Sequence, residues 1–127
     1  MISTGAFTHV HLIVRDIARS ASFYETVFGA EEIFRLGPDT RFLRLPGSDG
    51  VIALRQADAR SDIDHFGLGF DYGDLDDAVL QVLAAGGSLV DRGDRGGGME
   101  FAYLADPDGN VFELEPSPRT FLESGAR

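Results

Sequence analysis

A chain of 127 residues, 43% hydrophobic and 25% charged, has the size and composition of one compact globular domain with a real core. Its 21 acidic residues against 11 basic ones leave a net charge of −10, which argues against nucleic acid and anionic membranes as partners, since both recruit clustered positive charge. The absence of cysteine and lysine removes disulfides, thiolate nucleophiles and Schiff-base chemistry, so a metal ligand would have to come from three histidines and the carboxylates. The opening MISTGAFTHV lacks the basic flank and apolar core of a signal peptide, and no apolar run is long enough to span a bilayer. Cytoplasmic residence is the expectation.

In chain order, residues 9–14 alternate, with Val10, Leu12 and Val14 on one face and His9, His11 and Ile13 on the other, the period of a strand. Asp16 is placed to cap a helix carrying Ile17, Ala21, Tyr24, Val27 and Phe28, which Gly29 closes. TRFLRLPGSDGVIALRQ then reads as two strands around a Pro/Gly/Ser/Asp turn. The second half repeats this order. DHFGLGFD sets Phe66, Leu68 and Phe70 against His65, Gly67 and Gly69. Asp74 can cap a helix with Leu75, Ala78, Val79, Val82 and Leu83, ending at Gly86-Gly87. The glycine-rich DRGDRGGGME (91–100) is expected to be a connecting loop or lid. MEFAYLADPDGNVFELE is a hairpin whose Asp106-Pro107-Asp108-Gly109 suits a type I turn.

Laid over each other, the halves place His9 on His65, Asp16 near Asp71, and DGVIAL (49–54) on DGNVFEL (108–114) with one extra residue. Each half reads β-α-β-β-β, which predicts an α+β fold of two tandem βαβββ modules, about 6–57 and 63–115, within a single domain. ADARSD (57–62) links them. The tail SPRTFLESGAR (117–127) is either disordered or docked at a subunit interface.

Chemistry enters through the non-helical faces. His9, His65 and Glu113 fall at corresponding places there, while the fourth symmetric position holds Ala53. Two imidazoles and a carboxylate are a common set for a catalytic divalent cation, and three protein ligands leave room for water or substrate. A cation also explains a carboxylate in a buried strand, where an unpaired charge would be costly. A lone strand histidine is ordinarily a hydrogen-bonded structural residue. Two of three histidines at equivalent places shift the reading toward ligands. Gly67 and Gly69 beside His65 leave space for a substrate, though strand glycines also mark bulges. His11 shares the face of His9 and could be an acid/base, a supporting partner of the ligands or cavity wall. Tyr103 reads equally as a hydroxyl donor and as a core tyrosine. Arg92 and Arg95 could meet an anionic substrate or simply be solvated.

HVHLIVRD (9–16), FYETVFG (23–29), DHFGLGFD (64–71) and DPDGNVFELE (106–115) resemble, in order and spacing, the vicinal oxygen chelate superfamily. That group includes glyoxalase I, fosfomycin-resistance enzymes, extradiol dioxygenases and bleomycin-resistance proteins. The resemblance implies a curved mixed sheet around a metal cleft. It also implies a divalent ion (Fe²⁺, Mn²⁺, Ni²⁺ or Zn²⁺) on His9, His65 and Glu113, a small oxygenated substrate, and a homodimer. Ala53 stands where glyoxalase I has a glutamate, which counts against methylglyoxal isomerisation. No histidine lies between His11 and His65, where ring-cleaving dioxygenases carry a catalytic one. Fosfomycin-resistance enzymes match in length, ligand set and the tyrosine, but their threonine is His11 here, and Arg92 or Arg95 would replace a lysine-bearing anion loop. The implied function is a metal-dependent lyase, isomerase, thiol transferase or dioxygenase. The alternative is a metal-free binder of the bleomycin-resistance type.

Overall fold

The structure, a computed structural model, describes residues 1–4, 7–47, 49–69 and 74–115. The positions of Phe70, Asp71 and the C-terminal tail lie outside them. The described residues form eight strands and two helices: β1 (His9–Val14), α1 (Ile17–Phe28), β2 (Glu31–Leu36), β3 (Thr40–Arg44), β4 (Val51–Gln56), β5 (Phe66–Gly69), α2 (Leu75–Ala84), β6 (Ser88–Asp94), β7 (Glu100–Ala105) and β8 (Val111–Glu115). Internal contacts divide the chain into two compact units, Met1–Ser61 and Asp62–Arg127. Each holds one mixed four-stranded sheet, ordered β1-β4-β3-β2 in the first and β5-β8-β7-β6 in the second. This is the tandem βαβββ architecture.

In the first unit Asp16 caps α1 by accepting from the Arg19 amide, and Gly29 ends the helix with a φ of 68°. The helix packs on β3 and β4. Its buried side chains are Ile17, Ser20, Ala21, Phe23 and Tyr24, so Phe23 joins the expected stripe, while Val27 and Phe28 are only half-buried. Leu12, Val14, Leu43, Ile52 and Leu54 complete this core. Period 2 leaves the opposite sheet face to His9, His11, Phe42 and Ala53.

The second unit repeats the plan. Asp74 caps α2 through the Asp76 amide, and α2 packs on β6 and β7. Leu75, Val79 and Val82 are buried, whereas Leu83, expected on the same stripe, is exposed. The stripe is narrower than the sequence pattern suggested: Val82 of the last turn is buried, and Leu83 beside it lies off the stripe. Asp106 accepts from the Gly109 amide through its carbonyl, at 3.0 Å, to close the expected turn. The buried Asp106 carboxylate also accepts from the amides of Asp108 and Asn110, each at 2.9 Å. The run 91–100 needs correcting. Asp91–Asp94 complete β6, so only residues 95–99 form the turn, closed by the Arg95 amide donating to the Met99 carbonyl at 3.1 Å.

The duplication extends to register. His11 pairs with Ala53 across β1 and β4, and Gly67 with Glu113 across β5 and β8. Phe42 faces Ala53 on β3 as Tyr103 faces Glu113 on β7. Even the register shift recurs, between Glu32 and Phe34 in β2 and between Leu89 and Asp91 in β6.

Candidate functional site

Glu113 occupies the middle of β8, the second strand of its sheet, with Gly67 and Tyr103 as its cross-strand neighbours. Its side chain is 5% exposed. A solvated-face reading of this carboxylate is therefore excluded, and a buried charge in the middle of a sheet needs partners.

Four side chains meet it. His65, just before β5, places Nε2 3.6 Å from Glu113 Oε1. The Arg95 guanidinium donates through Nη2 to Glu113 Oε2. Its Nη1 donates to Glu115 Oε2 at 3.4 Å. The guanidinium carbon lies 4.3 Å from the centre of the Phe101 ring, a cation–π position. A Cβ on Gly93 would come within 2.9 Å of that ring, so only glycine there leaves the ring its place. The Tyr103 ring stands edge-on to His65, centroids 5.0 Å apart.

These contacts set the ionisation of the cluster. Burial alone would push the Glu113 carboxyl upward, but hydrogen bonds from Arg95, Glu115 and Tyr103 outweigh it and hold the group below the ordinary carboxylate range. Glu115 moves the other way, raised by burial, by its hydrogen bond to Glu113 and by that neighbour's charge. Tyr103 is also raised, first by burial and then by its hydrogen bond to Glu113, so its hydroxyl keeps its proton. Arg95 is held still more firmly charged by its bond to Glu113.

His65 is oriented from its far side. Asp64 Oδ2 lies 2.6 Å from Nδ1, a carboxylate contact that fixes the ring's orientation and turns Nε2 toward Glu113. Nε2 and Oε1 stand 3.6 Å apart, about the separation of two ligand atoms each about 2 Å from one ion. The pair therefore fits a divalent cation. In the first unit His9 is exposed, with its Nδ1 3.0 Å from Thr8 Oγ1 and its ring edge-on to Phe42 at 6.2 Å. Each histidine thus has the side chain of the preceding residue on its Nδ1, a hydroxyl at His9 and a carboxylate at His65. His11 is exposed on the same face.

Of the residues singled out from the sequence, the second unit brings together His65, Glu113, Tyr103 and Arg95, with Gly67 directly beside Glu113 and Gly69 beside Glu115. Arg92 is not in this cluster. It lies on β6 and pairs with Asp76 of α2 at 2.7 Å. Among the described residues, no three His, Asp or Glu side chains gather as a metal-holding group. Asp64, Phe101 and Glu115 were not singled out. Two of them had a readable signal: Asp64 directly precedes His65, and Glu115 shares the face of Glu113 by period 2. Nothing local marks Phe101 as the platform for Arg95.

A family model described as the Glyoxalase/Bleomycin resistance protein/Dioxygenase superfamily matches residues 6–114. Fosfomycin resistance protein FosX of Listeria innocua is 25% identical over 117 residues, covering 87% of this chain and 88% of that protein. A lactoylglutathione lyase of Arabidopsis thaliana is 29% identical over 92% of this chain, which spans about half, 47%, of that longer protein. A mutant of FosX from Listeria monocytogenes, solved with manganese(II) and 1S,2S-dihydroxypropylphosphonic acid, superposes with a TM-score of 0.76 at 24% identity, over 98% of this chain and 99% of that one.

Proposed function

Because the chain belongs to the glyoxalase/bleomycin resistance protein/dioxygenase superfamily, we propose that it is a divalent-metal-dependent enzyme acting on a small oxygenated substrate. Its metal ligands are His65, Glu113 and, by the equivalence of the two units, His9, from the same chain or from a second copy in a homodimer. The observation that carries this reading is the buried Glu113 carboxylate 3.6 Å from His65 Nε2, with that ring oriented by Asp64. Iron(II), manganese, nickel and zinc all suit two nitrogens and an oxygen. What such an ion supplies is Lewis acidity toward negative charge developing on substrate oxygens.

The chain's own groups divide the remaining work. Tyr103 retains its proton and can donate a hydrogen bond to a developing oxyanion. His11 is the candidate proton carrier. Gly67 and Gly69 keep the floor beside Glu113 clear for substrate, and Arg95 offers positive charge to an anionic group; Arg92, paired with Asp76 of α2, has no part in it. Lyase, isomerase, thiol-transfer and extradiol-type dioxygenase chemistry are all compatible with this set. Ala53 in place of a second glutamate argues against methylglyoxal isomerisation. A cytoplasmic setting without nucleic-acid or membrane partners fits the composition, and no described helix is long and apolar enough to cross a membrane.

A second reading, a metal-free protein that sequesters a small molecule, draws support from one observation: the Arg95 guanidinium already neutralises Glu113. The test is a parallel screen of the protein loaded with iron(II), manganese, nickel or zinc against catechols, α-ketoaldehyde thiol adducts and epoxide antibiotics. Turnover with one metal and not with chelated protein supports the enzyme. Tight ligand binding without turnover, by protein that takes up only substoichiometric metal, supports the binder.

A further inference from the structure

We propose that Arg95 is a built-in counter-ion that competes with the divalent cation for Glu113, so that loading the site requires the guanidinium to leave. This inference rests on the metal reading above and concerns the regulation of that same site.

Glu113 is 5% exposed and needs a positive partner whether or not a metal is bound. Arg95 is one such partner, engaging Glu113 and Glu115 with two different nitrogens. A divalent ion between Glu113 Oε1 and His65 Nε2 would share one carboxylate with a guanidinium. Like charges that close, in a partly desolvated setting, repel strongly enough to lower the affinity of either for the carboxylate. Binding of the two is therefore mutually exclusive or strongly anticooperative.

The structure gives the guanidinium a way out. The Arg95 side chain is 41% exposed, so one side already faces solvent. Its turn is built on Gly96, Gly97 and Gly98, with φ of 107°, 64° and 79°, a conformation that side-chain-bearing residues rarely adopt. No Cβ would meet any neighbour within 4 Å at these three positions, so these glycines lie in open space and the turn is closed by its own hydrogen bonds. The Phe101 ring under the guanidinium steers the resting position without covering it. Once released, Arg95 carries a full positive charge at the edge of the site, where an anionic substrate group could take the place of Glu113.

Titration calorimetry with Mn²⁺ on chelator-stripped protein tests this without relying on turnover. Arg95→Gln, which keeps amide donors and removes the charge, is expected to bind Mn²⁺ about tenfold more tightly than wild type. Arg95→Met, which keeps the apolar stem over Phe101, should tighten to a similar degree and stands in should the glutamine variant fail to fold. Arg95→Lys, which keeps the charge, should stay within about threefold of wild type. Unchanged or weaker Mn²⁺ affinity in both neutral variants would overturn competition and make Arg95 a residue that positions Glu113, with the metal reading intact. Tightening by lysine equal to that by glutamine would also overturn it. If wild type and every variant bind no Mn²⁺, Ni²⁺ or Zn²⁺, the inference falls together with the metal reading.

Discussion

The two units are a comparison made by the molecule itself. Strand β4 of the first and β8 of the second hold the same place in their sheets, each parallel to one neighbour and antiparallel to the other. At the matching position the first carries Ala53 and the second Glu113. Their parallel neighbours are exchanged in size: His11 stands beside Ala53, and Gly67 beside Glu113. Bulk and charge have moved from one strand to the next while register, bulge and ring contact stayed. A histidine meets Phe42 in one unit and Tyr103 in the other, so even the aromatic partner is kept and only its hydroxyl added. The lesson is that the backbone plan and the apolar face are common property, whereas chemistry is placed on the other face, one unit at a time.

If the helix-side faces are equivalent, truncating matched core residues should cost both units heavily. Phe112→Ala removes a side chain with no exposed surface and is expected to lose about 3–5 kcal/mol in urea unfolding. Ile52→Ala, its counterpart, should lose about 2–5 kcal/mol. A loss near zero at either position would break the equivalence.

The opposite faces should not be interchangeable. Ala53→Glu puts the second unit's carboxylate on a fully buried position whose neighbours His11 and Phe42 carry no permanent positive charge. The expected cost is about 3 kcal/mol, read from the same unfolding curves. A change below about 0.5 kcal/mol would mean that Arg95 is not what makes Glu113 tolerable. The smallest effect is expected at the exchanged neighbour. In Gly67→Ala the new Cβ would sit 3.4 Å from Glu115 Oε1, the end of a flexible side chain, so a loss under about 1 kcal/mol is predicted. Gly67→His, which copies His11 into the second unit, should cost more by crowding His65 and Glu113 while leaving the apolar face untouched.

How much of this was legible beforehand follows from the range of each signal. Strand alternation in residues 9–14, the caps Asp16, Gly29 and Asp74, and the Asp106–Gly109 turn are local, so residue type and spacing were enough to read them. The duplicated order let His65 and Glu113 be read together although they lie 48 residues apart, because the repeat supplied the alignment that a lone motif lacks. The repeated bulges were invisible, since an extra residue in a strand leaves no mark in the apolar pattern. Arg95 shows the same limit. Its charge was noticed, but its partner was not, because bonding to Glu113 depends on β6 running further into the glycine-rich stretch than that composition suggests. The buried carboxylate was expected to find its counter-charge in a metal. A guanidinium supplies it first.

The proposal that Glu113 and His65 hold one divalent cation between them turns on their 3.6 Å separation. Its most direct test is Mn²⁺ binding by chelator-stripped wild type beside Glu113→Gln, a change that keeps volume and weakens the ligand. The account predicts one equivalent per chain for wild type and affinity reduced by at least about tenfold in the glutamine variant. Wild-type affinity retained in Glu113→Gln would contradict it.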